Sequence, residues 1–424
     1  MNVFTKVRRT QILILFIASL FGLLTANNFA QTPHIFINEF LASNLTTNPD
    51  MVDFDDFSDW IELYNDETSA VDIGGFYITD DLTQPMKWQI PANTIIPAKG
   101  YFLIWADGYD DIPGNTYIRS WWPHNEQFTT KWCHTNFKLN NDGDEIGLFD
   151  ASGNKLDSAV FNNGTTDVSY GRKPDGSNNW FYFGEPTPNS SNTTVGLTST
   201  NKSADVNFSI EGGFYQGNIQ VALSSASGIG TVHYTTDGSK PTSTSAQYSS
   251  LINISSNIIL RARVFENSKL PGDTKTNSYF IDETRNLPAI SLVTNPLFLW
   301  GQLGIYSNTF KEREIPVSLE YFPLNTSRAF NLDAGVKIGG ENIYRFAEKP
   351  LNIYMRSDYG HSHISYQIFN ELPYQKYDRL YLRNGGDDWP FTMMRDGLQV
   401  NLLKNQISNS MQAFKPSVLY LNGN

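Results

Sequence analysis

The chain has 424 residues, of which 40% are apolar, 14% aromatic and 17% charged. That is too long for one ordinary hydrophobic core and too apolar for a disordered chain, so two to four packed domains are expected. The net charge of −12 is unevenly spread: residues 33–192 hold 24 acidic and 8 basic side chains, while the remainder is close to neutral. A chain without a basic footprint has no nucleic acid among its expected partners.

The first thirty residues read as a signal peptide. Lys6, Arg8 and Arg9 form a basic start, Ile12 to Leu24 an apolar core, and Ala30 precedes a plausible cleavage point. Export to the cell surface or medium follows, with no transmembrane span left after cleavage. Cys133 is the single cysteine, so no intramolecular disulfide can form; it is expected to be a small buried apolar residue.

From His34 to about Asn192, short apolar runs alternate with turn signals. Strands are predicted at Ile35 to Phe40, Trp60 to Tyr64, Gly75 to Thr79, Tyr101 to Trp105, Glu145 to Phe149 and Ser158 to Phe161. Many short strands with regular punctuation predict a β-sandwich. INEFLASN (Ile37 to Asn44), SDWIELYN (Ser58 to Asn65), DIGGFYITDD (Asp72 to Asp81), HTNFKLNNDGDEIGLFD (His134 to Asp150) and PTPNSSN (Pro186 to Asn192) occur in order along this stretch. It resembles the bacterial, secreted form of the lamin-tail domain, which implies an immunoglobulin-like sandwich over 33–192 and a binding or structural role.

The stretch 193–203 is rich in Ser, Thr and Asn and reads as a solvated linker. Within 204–283, Val232 to Tyr234 is a predicted strand. Ile258 to Phe265 alternates, with Leu260, Ala262 and Val264 on one face and Ile259, Arg261, Arg263 and Phe265 on the other. YTTDGSKPT (Tyr234 to Thr242) and ILRARVF (Ile259 to Phe265) resemble the small β-sandwich appended to chitobiases and hexosaminidases, which implies an accessory module without catalytic residues.

Residues 284–424 open with NLPAISLVT (Asn286 to Thr294), continue through Ala334 to Gly360 and Asp378 to Lys404, and end on Val418 to Leu421 before an Asn422-Gly423 turn signal. Arg395 to Lys404 is the one convincing helix, with Leu398, Val400, Leu402 and Leu403 as its apolar face and Asp396 in its first turn. This segment resembles the N-terminal part of CotH-type spore-coat kinases. The resemblance implies an incomplete α+β kinase-like portion, with the family's metal-binding aspartates beyond residue 424. It also implies ATP and Mg²⁺ or Mn²⁺ as cofactors of a complete domain only, and Lys349 with Arg345 as nucleotide contacts beside Gly335, Gly339 and Gly340. Local departures are Glu348-Lys349-Pro350 and Gly339-Gly340-Glu341. No catalytic residue is expected within the chain.

Other groups have bland readings beside sharper ones. Asp50, Asp53, Asp55, Asp56, Asp59 and Glu62 read as a solvated acidic loop before a strand; Asp53, Asp55 and Asp56 are the alternative for Ca²⁺. His361 and His363 read as surface histidines, and Cys133 beside His134 as no catalytic pair, because strand neighbours face opposite ways. Trp121, Trp122 and Trp132 lie in a loop-like stretch suited either to its own aromatic cluster or to a sugar or peptide platform. Two functions stay open. One is a secreted binding or display protein whose first modules target or space a CotH-type kinase domain. The other is an accessory carbohydrate-binding or adhesion protein without kinase activity. In both, the partner is an extracellular protein or polysaccharide.

Overall fold

The computed structural model describes residues 33–50, 53, 56–121, 124–309, 313–340, 347–388, 390–403 and 412–424. The chain is mainly β and folds into three successive sheet units.

The first unit packs a six-stranded sheet on a four-stranded one. The six strands, edge to edge, are Cys133–His134, Tyr101–Trp105, Trp60–Asn65, Ile35–Leu41, Ser169–Arg172 and Trp180–Phe183. The four are Lys155–Phe161, Asp144–Phe149, Tyr77–Thr79 and Trp88–Gln89. Ile35, Ile37, Ile61, Leu63, Ile104, Ile146 and Leu148 fill the space between them. A simple alternation from Ile35 would send Glu39 into this core. Instead the register slips at Asn38, so that Ile37 pairs Leu63 and Glu39 pairs Glu62. This bulge returns Phe40 to the core and places both glutamates on the outer face.

The second unit is a five-stranded sheet, ordered Gly213–Tyr215, Lys275–Ile281, Ile258–Phe265, Thr231–Thr235 and Ala246–Gln247, with two short ribbons over one face. Leu260, Ala262 and Val264 enter its core as the alternation predicts. The opposite face is not solvated: Arg263 is buried and donates to the Gly272 carbonyl, and Arg261 donates to that of Gly238.

The third unit is a six-stranded mixed sheet, ordered Arg379–Leu382, Leu351–Tyr354, Phe330–Ile338, Ile315–Phe322, Ala289–Val293 and Val418–Leu421. Its last strand runs parallel to Ala289–Val293. The Asn422-Gly423 turn forms as predicted, with φ of 48° and 84°. The helix spans Arg395–Leu403 and is capped by Asp388, whose Oδ2 accepts from the Met394 and Arg395 N–H groups at 3.1 and 2.9 Å. Its expected apolar face is not buried: Leu398, Leu402 and Leu403 are exposed, and it is Gly397 that meets a neighbour, the ring of Phe414. An α+β kinase-like architecture is not evident in this third sheet.

The units are joined by built contacts. Lys240 of the second reaches Asp167 and Thr46 of the first at 3.2 and 3.1 Å, and Glu185 accepts from the N–H and hydroxyl of Ser243. Phe57 of the first packs edge-on against Phe298 of the third. Phe214, Phe280, Phe322 and Tyr420 close an apolar seam between second and third. Beside that seam, wholly buried Glu320 accepts from Arg328 at 2.6 Å, and Arg328 also pairs with Glu211. Removing Arg328 would strand the Glu320 charge. Arg328→Met is therefore expected to cost about 3 kcal/mol in urea unfolding at pH 8; a change below about 0.5 kcal/mol would refute the pairing as a structural requirement.

The 193–203 stretch is also not a free linker. Leu197 is buried and exchanges two backbone hydrogen bonds with Tyr182, and Ser203 is bonded to the Leu270 carbonyl.

Candidate functional site

Cys133–His134 pairs in parallel with Ile104 and Trp105. Alternation along this two-residue strand sends Cys133 into the core and His134 to the other face, both fully buried. On that face His134 meets three carboxylates. Its Nδ1 lies 2.7 Å from Asp107 Oδ2, and its Nε2 lies 3.4 Å from Asp53 Oδ2 and 3.7 Å from Asp50 Oδ2.

Local backbone geometry holds each acid in place. Asp107 lies two residues past the end of the strand Tyr101–Trp105, and its Oδ1 accepts from Tyr109 N–H. Asp50 forms an antiparallel bridge with Asp56, and its Oδ1 accepts from Asp53 N–H. Asp53 Oδ2 accepts the Lys131 and Trp132 N–H groups at 2.8 and 2.9 Å. Burial alone would raise Asp53, but His134 and those two N–H groups hold it below the usual carboxylate range. Burial alone would likewise lower the imidazole; the bonds to Asp107 and Asp53 and the Asp50 charge push it up to about 9.

The acidic loop is therefore not the solvated loop expected from the sequence, since Asp50 and Asp53 are 1% and 0% exposed. Of the three residues offered for calcium, Asp53 is turned to His134, Asp56 is half-buried at the bridge with Asp50, and Asp55 lies outside the described residues. Sequence reasoning missed Asp107 and His134 as partners of this loop. The legible signal was the strand alternation that separates Cys133 from His134.

A second polar cluster lies on the outer face of the same sheet. Glu39 and Glu62 are wholly buried side by side. Glu62 accepts from Asn38 Nδ2 at 2.9 Å and from Asn189 N–H at 2.6 Å; Glu39 accepts from Ser169 and from the N–H and hydroxyl of Thr187. The PTPNSSN segment thus serves as a lid of donors over two carboxylates. Burial, and for Glu62 the charge of its neighbour, push Glu39 up to about 7 and Glu62 up to about 9.

In the third unit, Phe330–Ile338, which holds Gly335, pairs antiparallel with Leu351–Tyr354. Lys349 lies just before the second strand, partly buried, and that burial draws its ammonium below the ordinary range. Arg345 lies outside the described residues. The glycines have local reasons: a Cβ on Gly335 would strike Glu314 Oε1 at 2.2 Å, and one on Gly339 would strike Asn352 Nδ2 at 2.2 Å. Their close approach is to these side chains, so they are no independent mark of a phosphate.

His361 is exposed and His363 half-buried in a turn, not on a strand. The Trp121 to Trp132 region is not a loop: Thr116–Trp121 and His124–Thr129 form a two-stranded ribbon on which Tyr117 and Phe128 stack at 5.5 Å. Trp122 lies outside the described residues, and Trp132 is 37% exposed.

Comparison with known families agrees with the first two units. Residues 28–163 match the family described as Lamin Tail Domain, and residues 210–276 match the Chitobiase/beta-hexosaminidase C-terminal domain. The protein is a multidomain β-sandwich protein with a lamin tail domain followed by a chitobiase/hexosaminidase C-terminal-like domain. The strands Ser169–Arg172 and Trp180–Phe183 fall after the first match, yet they complete the six-stranded sheet. No curated protein matches the chain. Among the described residues, no helix is long and apolar enough to cross a membrane.

Proposed function

We propose that this is a secreted binding and display protein, in which the lamin-tail and chitobiase-like modules hold a CotH-type kinase-like segment at a fixed distance from an extracellular target. The observation that carries this reading is the continuous seam between units. Polar contacts at Lys240 and Glu185 and the aromatic cluster around Phe280 leave the third sheet mounted on the first two modules, as suits a spacer. The basic start and apolar core of residues 1–30 support export. Target recognition belongs to the first two modules, whose families are generally binding or accessory ones. A nucleotide phosphate would meet Lys349, with Arg345 as the second cationic contact. In this reading ATP with Mg²⁺ or Mn²⁺ is the cofactor of a complete kinase-like domain only.

The test is binding of a fluorescent ATP analogue, with Mg²⁺, to the protein carrying a complete kinase-like domain, beside Lys349→Ala. Saturable binding weakened about tenfold or more by the substitution is expected, the worth of one charge-assisted contact. Absence of binding, or binding indifferent to Lys349, would remove the kinase-like part and leave the alternative, an accessory carbohydrate-binding or adhesion protein. Retention on insoluble polysaccharide would then be the property to measure.

A further inference from the structure

We infer that the segment Pro186 to Asn192 is a proton-controlled latch at the joint between the first and second units, closed while a proton is held on the Glu39 and Glu62 pair and lifted when both carboxyls ionise. Glu39 and Glu62 are directly opposed on neighbouring strands and wholly buried. Like charges so placed repel. The segment covers the pair with its own donors. Thr187 N–H lies 3.2 Å from Glu39 Oε1 and its hydroxyl 2.9 Å from Oε2, while Asn189 N–H lies 2.6 Å from Glu62 Oε2. Asp175 is the third acid of the seat; it accepts from the Ser191 hydroxyl and, at 3.0 Å, from Asn192 N–H. The fit is close: a Cβ on Gly171 would meet Asn192 Nδ2 at 2.9 Å and Glu39 Cγ at 3.0 Å.

Among the described residues no lysine or arginine pairs with these three acids: Arg172 is turned to the Ile37 and Ser177 carbonyls and to Asp157, and Lys173 to the Thr193 and Thr194 carbonyls. Tyr64 and Lys99 are turned to Asp66, and Tyr101 donates to Asp175. The latch keeps water from the pair, and burial holds Glu39 up at about 7 and Glu62 at about 9. Lifting it returns both to water, where a glutamate ionises near the ordinary 4.5. Closing therefore takes up protons, so the closed form dominates at low pH and loses ground as pH climbs through the folded values. The movement reaches the second unit through Glu185, the residue before the latch, which accepts from Ser243 N–H at 2.7 Å and from its hydroxyl at 2.6 Å. Beyond the latch, Thr194 Oγ1 donates to the Glu185 carbonyl at 2.8 Å and ties its two ends together.

The experiment is hydrogen–deuterium exchange of the intact protein at pH 5.5, 7 and 9, read by mass spectrometry and corrected for intrinsic exchange. Protection of the Thr187, Asn189 and Asn192 amides should fall about tenfold or more between pH 7 and 9, the worth of one ionisation moved by one pH unit. The Ser243 amide, bonded to Glu185, should follow them. At pH 9 the amides of Ile258–Phe265 should remain at least about 100-fold better protected than the latch. Glu62→Gln should keep the latch closed to pH 9, and Gly171→Ala should open it at every pH. Should Glu62→Gln fail to fold by circular dichroism, Glu39→Gln decides. Unchanged protection of 186–192 in the folded wild-type protein would overturn the inference. So would opening of the latch in the folded glutamine variant as in wild type, a Ser243 amide that stays protected while the latch opens, or protection lost equally in Ile258–Phe265, which marks global unfolding.

Discussion

Phe280→Ala is expected to cost about 3–5 kcal/mol, the usual price of truncating a buried aromatic, and to split the unfolding of the second and third units into two transitions. Phe280 is wholly buried, with ring centroids 4.6 Å from Phe214, 4.2 Å from Tyr420 and 5.9 Å from Phe322. Its neighbours Tyr279 and Ile281 point the other way, into the core of the second unit. The substitution therefore opens the seam and leaves that core filled. Calorimetry separates the two effects when Leu260→Ala, a cavity inside the second unit, is run beside it. Both variants should lose stability, but only Phe280→Ala should show two resolved peaks. A single peak merely displaced downward would mean that the seam does not couple the units.

Stability should fall as pH rises from about 5 to 9, and Glu62 should carry much of that slope. Its folded-state value of about 9 and the value of about 7 for Glu39 both exceed the ordinary 4.5. The folded protein thus binds more protons than the unfolded chain over this window. The stabilisation is complete below about pH 4.5 and is lost as pH climbs through the folded values. Asp175, whose carboxylate is held below the usual range, stays charged throughout and adds to the repulsion. Glu62→Gln should flatten the slope in urea midpoints taken at pH 5, 7 and 9. At pH 5 it should cost about 1 kcal/mol, because an amide cannot accept from both Asn38 and Asn189. An unchanged slope in the variant would place the titration elsewhere; buried Glu320, pushed up to about 7, is the next group to examine.

The strands of the first sandwich were readable because apolar residues repeat there with period two between strong turn residues. Leu260, Ala262 and Val264, the Asn422-Gly423 turn and the Arg395–Leu403 helix were readable for the same local reasons. The rest depended on distant partners. Nothing near Asn38 announces a bulge, yet that one extra residue decides which face Glu39 takes. Asp50 and Asp53 look like surface acids until His134, some eighty residues later, is brought against them. The ribbon Thr116–Trp121 with His124–Thr129 carries too little alternation for its strands to be told from loop. The helix was found but its packing was not, because Gly397, not the leucines, meets the neighbouring ring.

The pinned 193–203 stretch also bears on mechanics. A molecule held at one end and loaded at the other usually yields first where its chain is slack. Here tension passing from the first unit to the second has to peel Leu197 from Tyr182 and Ser203 from Leu270 before those eleven residues can lengthen. In the third unit, Val418–Leu421 lies parallel to Ala289–Val293, so a pull along that strand loads its evenly spaced hydrogen bonds together instead of one by one. The joint between the first two modules behaves as a stiff coupling, and a load carried by one reaches the other with little give in between.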